Sequence, residues 1–137
     1  MIQRTALFAC IALLALACSA PPGTKLGVDN GTTLAVTVVV NGVNVGTVEP
    51  QKQQFFDPSG MPPMPWSVEV RSPSGRVLTQ VFAAVGSAGS TTDADGHTSQ
   101  FGVGGRVDLS CGRLDVYVGP PMMGPMPGPG VPGDCAP

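Results

Sequence analysis

The chain has 137 residues, with seven Lys and Arg against nine Asp and Glu, and only 12% of its residues are charged while 42% are hydrophobic. A formal charge of −2 without any Lys/Arg cluster excludes the basic stripe that releases counterions on nucleic-acid binding and the polybasic patch that attracts anionic lipid. The length suits one small domain.

Met1 to Thr5 carries a single charge, Arg4, and leads into an apolar run from Ala6 to Ala17. A short cationic start followed by about a dozen apolar residues is the layout of a secretory signal. The run falls short of the roughly 20 residues needed to span a bilayer, and no later segment is longer, so the body is expected not to be an integral membrane protein. Its end reads Leu13-Leu14-Ala15-Leu16-Ala17-Cys18-Ser19. This resembles the lipobox of bacterial lipoproteins, with Ala15 where Leu is the commoner residue. The resemblance implies a diacylglyceryl thioether on Cys18, cleavage after Ala17 and acylation of the new amino terminus. Two or three acyl chains hold lastingly where one holds only marginally. Ala15-Leu16-Ala17 also fits a plain small-x-small cleavage site, so ordinary secretion is the alternative reading and an uncleaved anchor a third. Ser19, where an inner-membrane lipoprotein commonly has Asp, resembles the outer-membrane-directed type in a two-membrane cell; otherwise the cell surface is implied. Residues 1–17 are thus expected to be a signal peptide and residues 18–25 an anchor and tether.

Residues 26–118 read as strands and turns. Leu34 to Val40 is dense in β-branched residues, Asn41-Gly42 follows, and Val43 to Val48 continues the pattern. Asn-Gly between two such runs predicts a hairpin, because a type I′ turn needs positive φ at both central residues. Trp66 to Arg71 alternates, with Trp66, Val68 and Val70 on one face and Ser67, Glu69 and Arg71 on the other, which predicts a half-buried strand. Pro73-Ser74-Gly75 turns the chain and Arg76 to Val85 returns. A looser pair around Thr91 and Gln100 is joined by Asp93-Ala94-Asp95-Gly96. The last hairpin runs Arg106 to Ser110, turns at Cys111-Gly112, and returns from Arg113 to Val118, placing Val107, Leu109, Leu114, Val116 and Val118 inward and Asp108 opposite Asp115. Like charges across a pair are unfavourable, with Arg106 and Arg113 as diagonal neighbours to offset them.

Seven or eight short strands without helical periodicity predict an all-β chain, a small antiparallel β-sandwich of immunoglobulin-like or transthyretin-like scale. Residues 119–137 hold five Gly and seven Pro and are expected to form a Pro/Gly-rich strap, in part polyproline II; binding a partner is the alternative role for this tail. Of four cysteines, Cys10 leaves with the signal and Cys18 is assigned to lipid. Cys111 and Cys135 remain as a pair in an exported chain, where disulfides persist. Their loop predicts a bridge worth about 3 kcal/mol on the chain-entropy model; a two-thiolate metal site lacks further soft ligands. The stretches Pro62 to Leu78 and Gly105 to Cys135 also resemble small bacterial lipoproteins of unknown function, a resemblance that brings no active site with it.

Catalytic parts are sparse. His97 is the single histidine and sits in a Gly/Asp/Thr turn, without a Gly-x-Ser-x-Gly elbow or a Cys–His signature to complete a nucleophilic system. Asp108 and Asp115 would be solvated hairpin neighbours, and a disulfide would consume Cys111. Asp93-Ala94-Asp95-Gly96 opens like a calcium loop, but position five is His97 and position twelve is Gly104, so a hairpin turn is the better reading. The remaining chemistry lies in Met61, Met64, Met122, Met123 and Met126, all within two Pro-rich stretches. Thioethers suit Cu(I), with His97 as a possible extra ligand; methionine is equally a flexible apolar filler, and packing onto the sheet is preferred. The expectation is a lipid-anchored, extracytoplasmic domain with a binding or envelope role, no catalysis and no cofactor, whose partner is the membrane and whose protein or peptide partner is open. A Cu(I)-handling lipoprotein and a plain secreted binding domain are the alternatives. A binding role predicts an exposed aromatic patch around Trp66 and Phe55-Phe56; a copper role predicts convergence of the methionines.

Overall fold

A computed structural model describes residues 24–120 and Cys135. It is all-β. Ten strands run in chain order: β1 (Leu26–Asn30), β2 (Val36–Val40), β3 (Val43–Val48), β4 (Lys52–Phe56), β5 (Trp66–Arg71), β6 (Val77–Ala83), β7 (Gly89–Thr92), β8 (Thr98–Phe101), β9 (Val103–Leu109) and β10 (Gly112–Val118). Eight of them make two four-stranded antiparallel sheets, sheet A in the order β4-β1-β10-β9 and sheet B in the order β3-β2-β5-β6. β7 and β8 form a separate two-stranded ribbon inserted between β6 and β9. The sandwich expected from the turn spacing is what forms, and the ribbon is the looser pair around Thr91 and Gln100. No helix among the described residues is long and apolar enough to cross a membrane.

Alternation builds the core. β5 has the burial pattern of a strand with one wet face, and Trp66, Val68 and Val70 point in. They meet Val36, Val38 and Val40 of β2, Leu26 and Val28 of β1, and Leu114, Val116 and Val118 of β10, none more than 1% exposed. Each such side chain contributes about 1.5–3 kcal/mol by leaving water. The Asn41-Gly42 turn forms as its sequence predicts, with φ of 50° and 81°.

The connections alternate between two ends. At one end, here the entry end, lie Lys25, the β2–β3 turn, the β4–β5 segment, the ribbon's base and Gly119, whose amide donates to the Lys25 carbonyl. At the far end lie the β1–β2, β3–β4, β5–β6 and β9–β10 connections. Buried Asn30 closes that far end. Its amide donates to the carbonyls of Leu34 (2.7 Å), Val48 (3.0 Å) and Glu49 (3.2 Å), and its Oδ1 accepts from Thr32.

The β9–β10 hairpin corrects the expected register. Leu109 pairs with Gly112, so the turn is Ser110-Cys111 and not Cys111-Gly112; Asp108 faces Arg113, and Asp115 faces Arg106. The cause lies outside the hairpin. The Gly31 amide bonds to the Arg113 carbonyl at 2.8 Å. A Cβ on Gly112, whose φ is 135°, would fall 1.9 Å from the Gly31 carbonyl oxygen. Gly112 is therefore a strand residue chosen for a close approach, not a turn glycine.

Candidate functional site

Cys18, the expected lipid attachment point, lies outside the described residues, as do Met122, Met123 and Met126. Cys111 and Cys135 are bonded to each other with Cα atoms 6.0 Å apart, so the tip of the β9–β10 hairpin holds the chain close to its end. The path of the Pro/Gly-rich strap between Pro120 and Cys135 also lies outside the described residues.

Two methionines are placed. Met64 is 4% exposed within the core, and Met61 packs against it half-buried. Both belong to the segment that carries the chain from sheet A to sheet B. Asn41 holds that segment: its amide donates to the Pro65 carbonyl at 3.0 Å and its Oδ1 accepts from the Ser67 amide at 2.8 Å. Trp66 is 1% exposed and its indole N–H donates to the Pro62 carbonyl at 2.7 Å. Phe56 is also buried, at 7%. The expected patch around Trp66 and Phe55-Phe56 is therefore not a patch: two of its three rings fill the core, and Phe55 alone is exposed.

His97 sits at the tip of the ribbon. Asp93 Oδ1 accepts from the amides of Asp95 (3.0 Å) and His97 (2.9 Å), and the His97 carbonyl accepts from the Asp93 amide (3.0 Å). These are the bonds of an Asp-Gly turn. Side-chain oxygens of Asp93 and Asp95 and a His97 ring nitrogen lie within 4.8 Å of one another, all on exposed residues. The turn reading of Asp93-Ala94-Asp95-Gly96 accounts for every backbone bond at this tip.

The most built polar cluster lies on the outward face of sheet A. Tyr117 and Asp115 alternate with the core residues of β10 and so point away from the core, yet they are 1% and 4% exposed. Tyr117 lies over Gly27, where a Cβ would sit 2.2 Å from the ring. Its phenol oxygen accepts from the Gln53 amide at 2.7 Å, and the Phe55 ring meets it edge-on with centroids 6.3 Å apart. Burial pushes the Tyr117 pKa up; the Gln53 hydrogen bond opposes this, and the charges of Asp29 and Asp115 add to the rise. Asp115 is claimed on both oxygens, by Arg106 Nε at 2.9 Å and Arg113 Nε at 2.7 Å. With both oxygens engaged it is a clamp between β9 and β10 rather than a base.

Alternation places Arg106, Asp108, Arg113 and Asp115 on this face. What sequence reasoning misses is that the face is buried at β10, because Gln53, Phe55 and Gly27 come from strands that only the sheet order brings alongside. Compared with protein-family models, with curated proteins and with solved structures, the chain matches none.

Proposed function

We propose that the chain is exported and held on the extracytoplasmic side of a membrane by acyl chains on Cys18, and that its β-sandwich is a non-catalytic binding or structural domain of the cell envelope. The observation that carries this reading is the apolar run ending Leu14-Ala15-Leu16-Ala17-Cys18, set six residues ahead of Thr24, the first buried residue described. Such spacing suits a leash between an anchor and a folded body. The cysteine inventory supports it: with Cys111 bonded to Cys135 and Cys10 inside the signal-like run, an unmodified Cys18 would be a lone thiol in an oxidising compartment.

The test is the mass of the mature amino terminus after expression in a bacterial host. The expected peptide begins at Cys18 and carries a diacylglyceryl group and an amide-linked acyl chain. A Cys18→Ala chain should remain unprocessed or lose its membrane fraction. An unmodified amino terminus at Cys18 or Ser19 overturns the anchor and leaves plain secretion.

A further inference from the structure

We infer that the entry end of the sandwich is a bilayer-facing surface that meets the boundary between lipid headgroups and acyl chains. This rests on the anchor proposed above and goes beyond it by assigning which part of the domain touches lipid.

The first observation is where exposed apolar side chains collect. Six large ones are exposed among the described residues: Val43 (51%), Phe55 (51%), Val77 (46%), Phe82 (66%), Val85 (50%) and Phe101 (41%). Scattered singly, such residues need no explanation. Here five of the six lie at the entry end. Val43 leaves the β2–β3 turn, and Val85 lies just past the end of β6. Phe101 ends the ribbon beside Gly119. Phe82 pairs with Ser67, one residue from the start of β5, and Phe55 pairs with Gly27, one residue from the start of β1. Only Val77 is at the far end.

The second observation is charge. The far half of the body carries Glu49, Lys52, Arg71, Arg76, Asp108 and Arg113, whereas the entry end carries Lys25 and Asp57, with Asp93 and Asp95 out at the ribbon tip. An apolar, charge-poor end opposite a charged one is the distribution that an interface between water and lipid selects.

The third observation is reach. From Cys18 to buried Thr24 there are six backbone steps, which span at most about 20 Å when fully extended. Both the start of β1 and the loops that bear Val43, Val85 and Phe101 share the end to which this leash is tied, so an acylated Cys18 keeps them nearest the membrane.

Trp66 is the single tryptophan of the chain and opens β5 at the entry end, which makes it a native reporter. The acylated full chain is reconstituted into phosphatidylcholine vesicles with brominated acyl chains. The expected result is a loss of Trp66 emission relative to unbrominated vesicles. That loss should shrink several-fold in a Val43→Ser/Val85→Ser/Phe101→Ser chain and in a Phe82→Ser chain, each with its acyl mass and β-sheet circular dichroism intact. Unchanged emission in a chain whose mass shows the acyl groups overturns the inference. So does equal quenching in all variants. If those substitutions abolish crosslinks to a protein in intact envelopes while vesicles leave Trp66 unquenched, the end binds protein and the inference also falls. If the mass shows no acyl group, the anchor fails separately. The Cys18→Ser chain added to the same vesicles then decides the surface alone: quenching supports it and its absence overturns it.

Discussion

The two sheets bury the same kind of inward face and differ on their outward ones. Outside sheet A, Tyr117 and Asp115 are almost wholly removed from solvent, and Asp115 bonds to two arginines. Outside sheet B, Phe82 is 66% exposed, the Gln80 amide donates to the exposed Ser67 hydroxyl, and Glu69 pairs with Arg71 along one strand with both side chains partly in water. Sequence alternation is alike in β5 and β10; what differs is whether a neighbouring strand brings something to lie over the outward residue. The outward side of sheet A is thus part of the stability of the domain, and that of sheet B is surface.

Four perturbations of sheet A sharpen this contrast. Asp115→Ala leaves two guanidinium groups facing a lost carboxylate in a buried place, and removing one member of a buried pair costs about 3–5 kcal/mol. Denaturant unfolding should show that loss, and a double-mutant cycle with Arg106 should show strong coupling. Reducing the Cys111–Cys135 bridge should lower stability by about 3 kcal/mol, read as a fall in melting temperature with and without reductant. Gly27→Ala forces a methyl into the space of the Tyr117 ring, and overpacking of this kind costs about 1–3 kcal/mol; a Gly27→Ala/Tyr117→Ala chain should lose less than the two single effects added. The fourth is pH. Tyr117 has its pKa raised from its ordinary value of 10.0 by burial, so the folded state holds the phenol proton more tightly than the unfolded chain. Stability is then insensitive to this group below pH 10 and falls above it, as the unfolded state ionises first. The unfolding midpoint followed upward through that value should drop, and Tyr117→Phe should flatten the curve.

Some of this was legible and some was not, for identifiable reasons. β2, β3 and β5 are plain in the sequence because β-branched density, Asn41-Gly42 and strict alternation act locally. β1 is not, since its inward position Asn30 is polar, and its burial makes sense only with the Leu34, Val48 and Glu49 carbonyls around it. β4 is hidden by Lys52-Gln53-Gln54, which reads as a loop until β1 pairs with it. Gly112 misled the register because a glycine beside a hairpin tip looks like a turn residue, and the Gly31 carbonyl that requires it is some eighty residues away in sequence. Tyr117 could be assigned outward but not buried, because its cover comes from β1 and β4. The gathering of Val43, Phe55, Phe82, Val85 and Phe101 at one end is likewise a product of strand order, invisible in a linear reading.

The smallest predicted effect is the complement to Asp115→Ala. On sheet B, Arg71 Nε donates to Glu69 Oε2 at 2.9 Å, but the two side chains are 39% and 26% exposed. Water and salt screen the attraction, and holding two long side chains costs entropy, so such a pair contributes about 0.2–1 kcal/mol. Glu69→Ala should therefore shift the unfolding midpoint only slightly, and the shift should shrink further as salt is raised. A loss as large as that of Asp115→Ala would show that the outward face of sheet B is structural too, and the distinction between the two sheets would no longer hold.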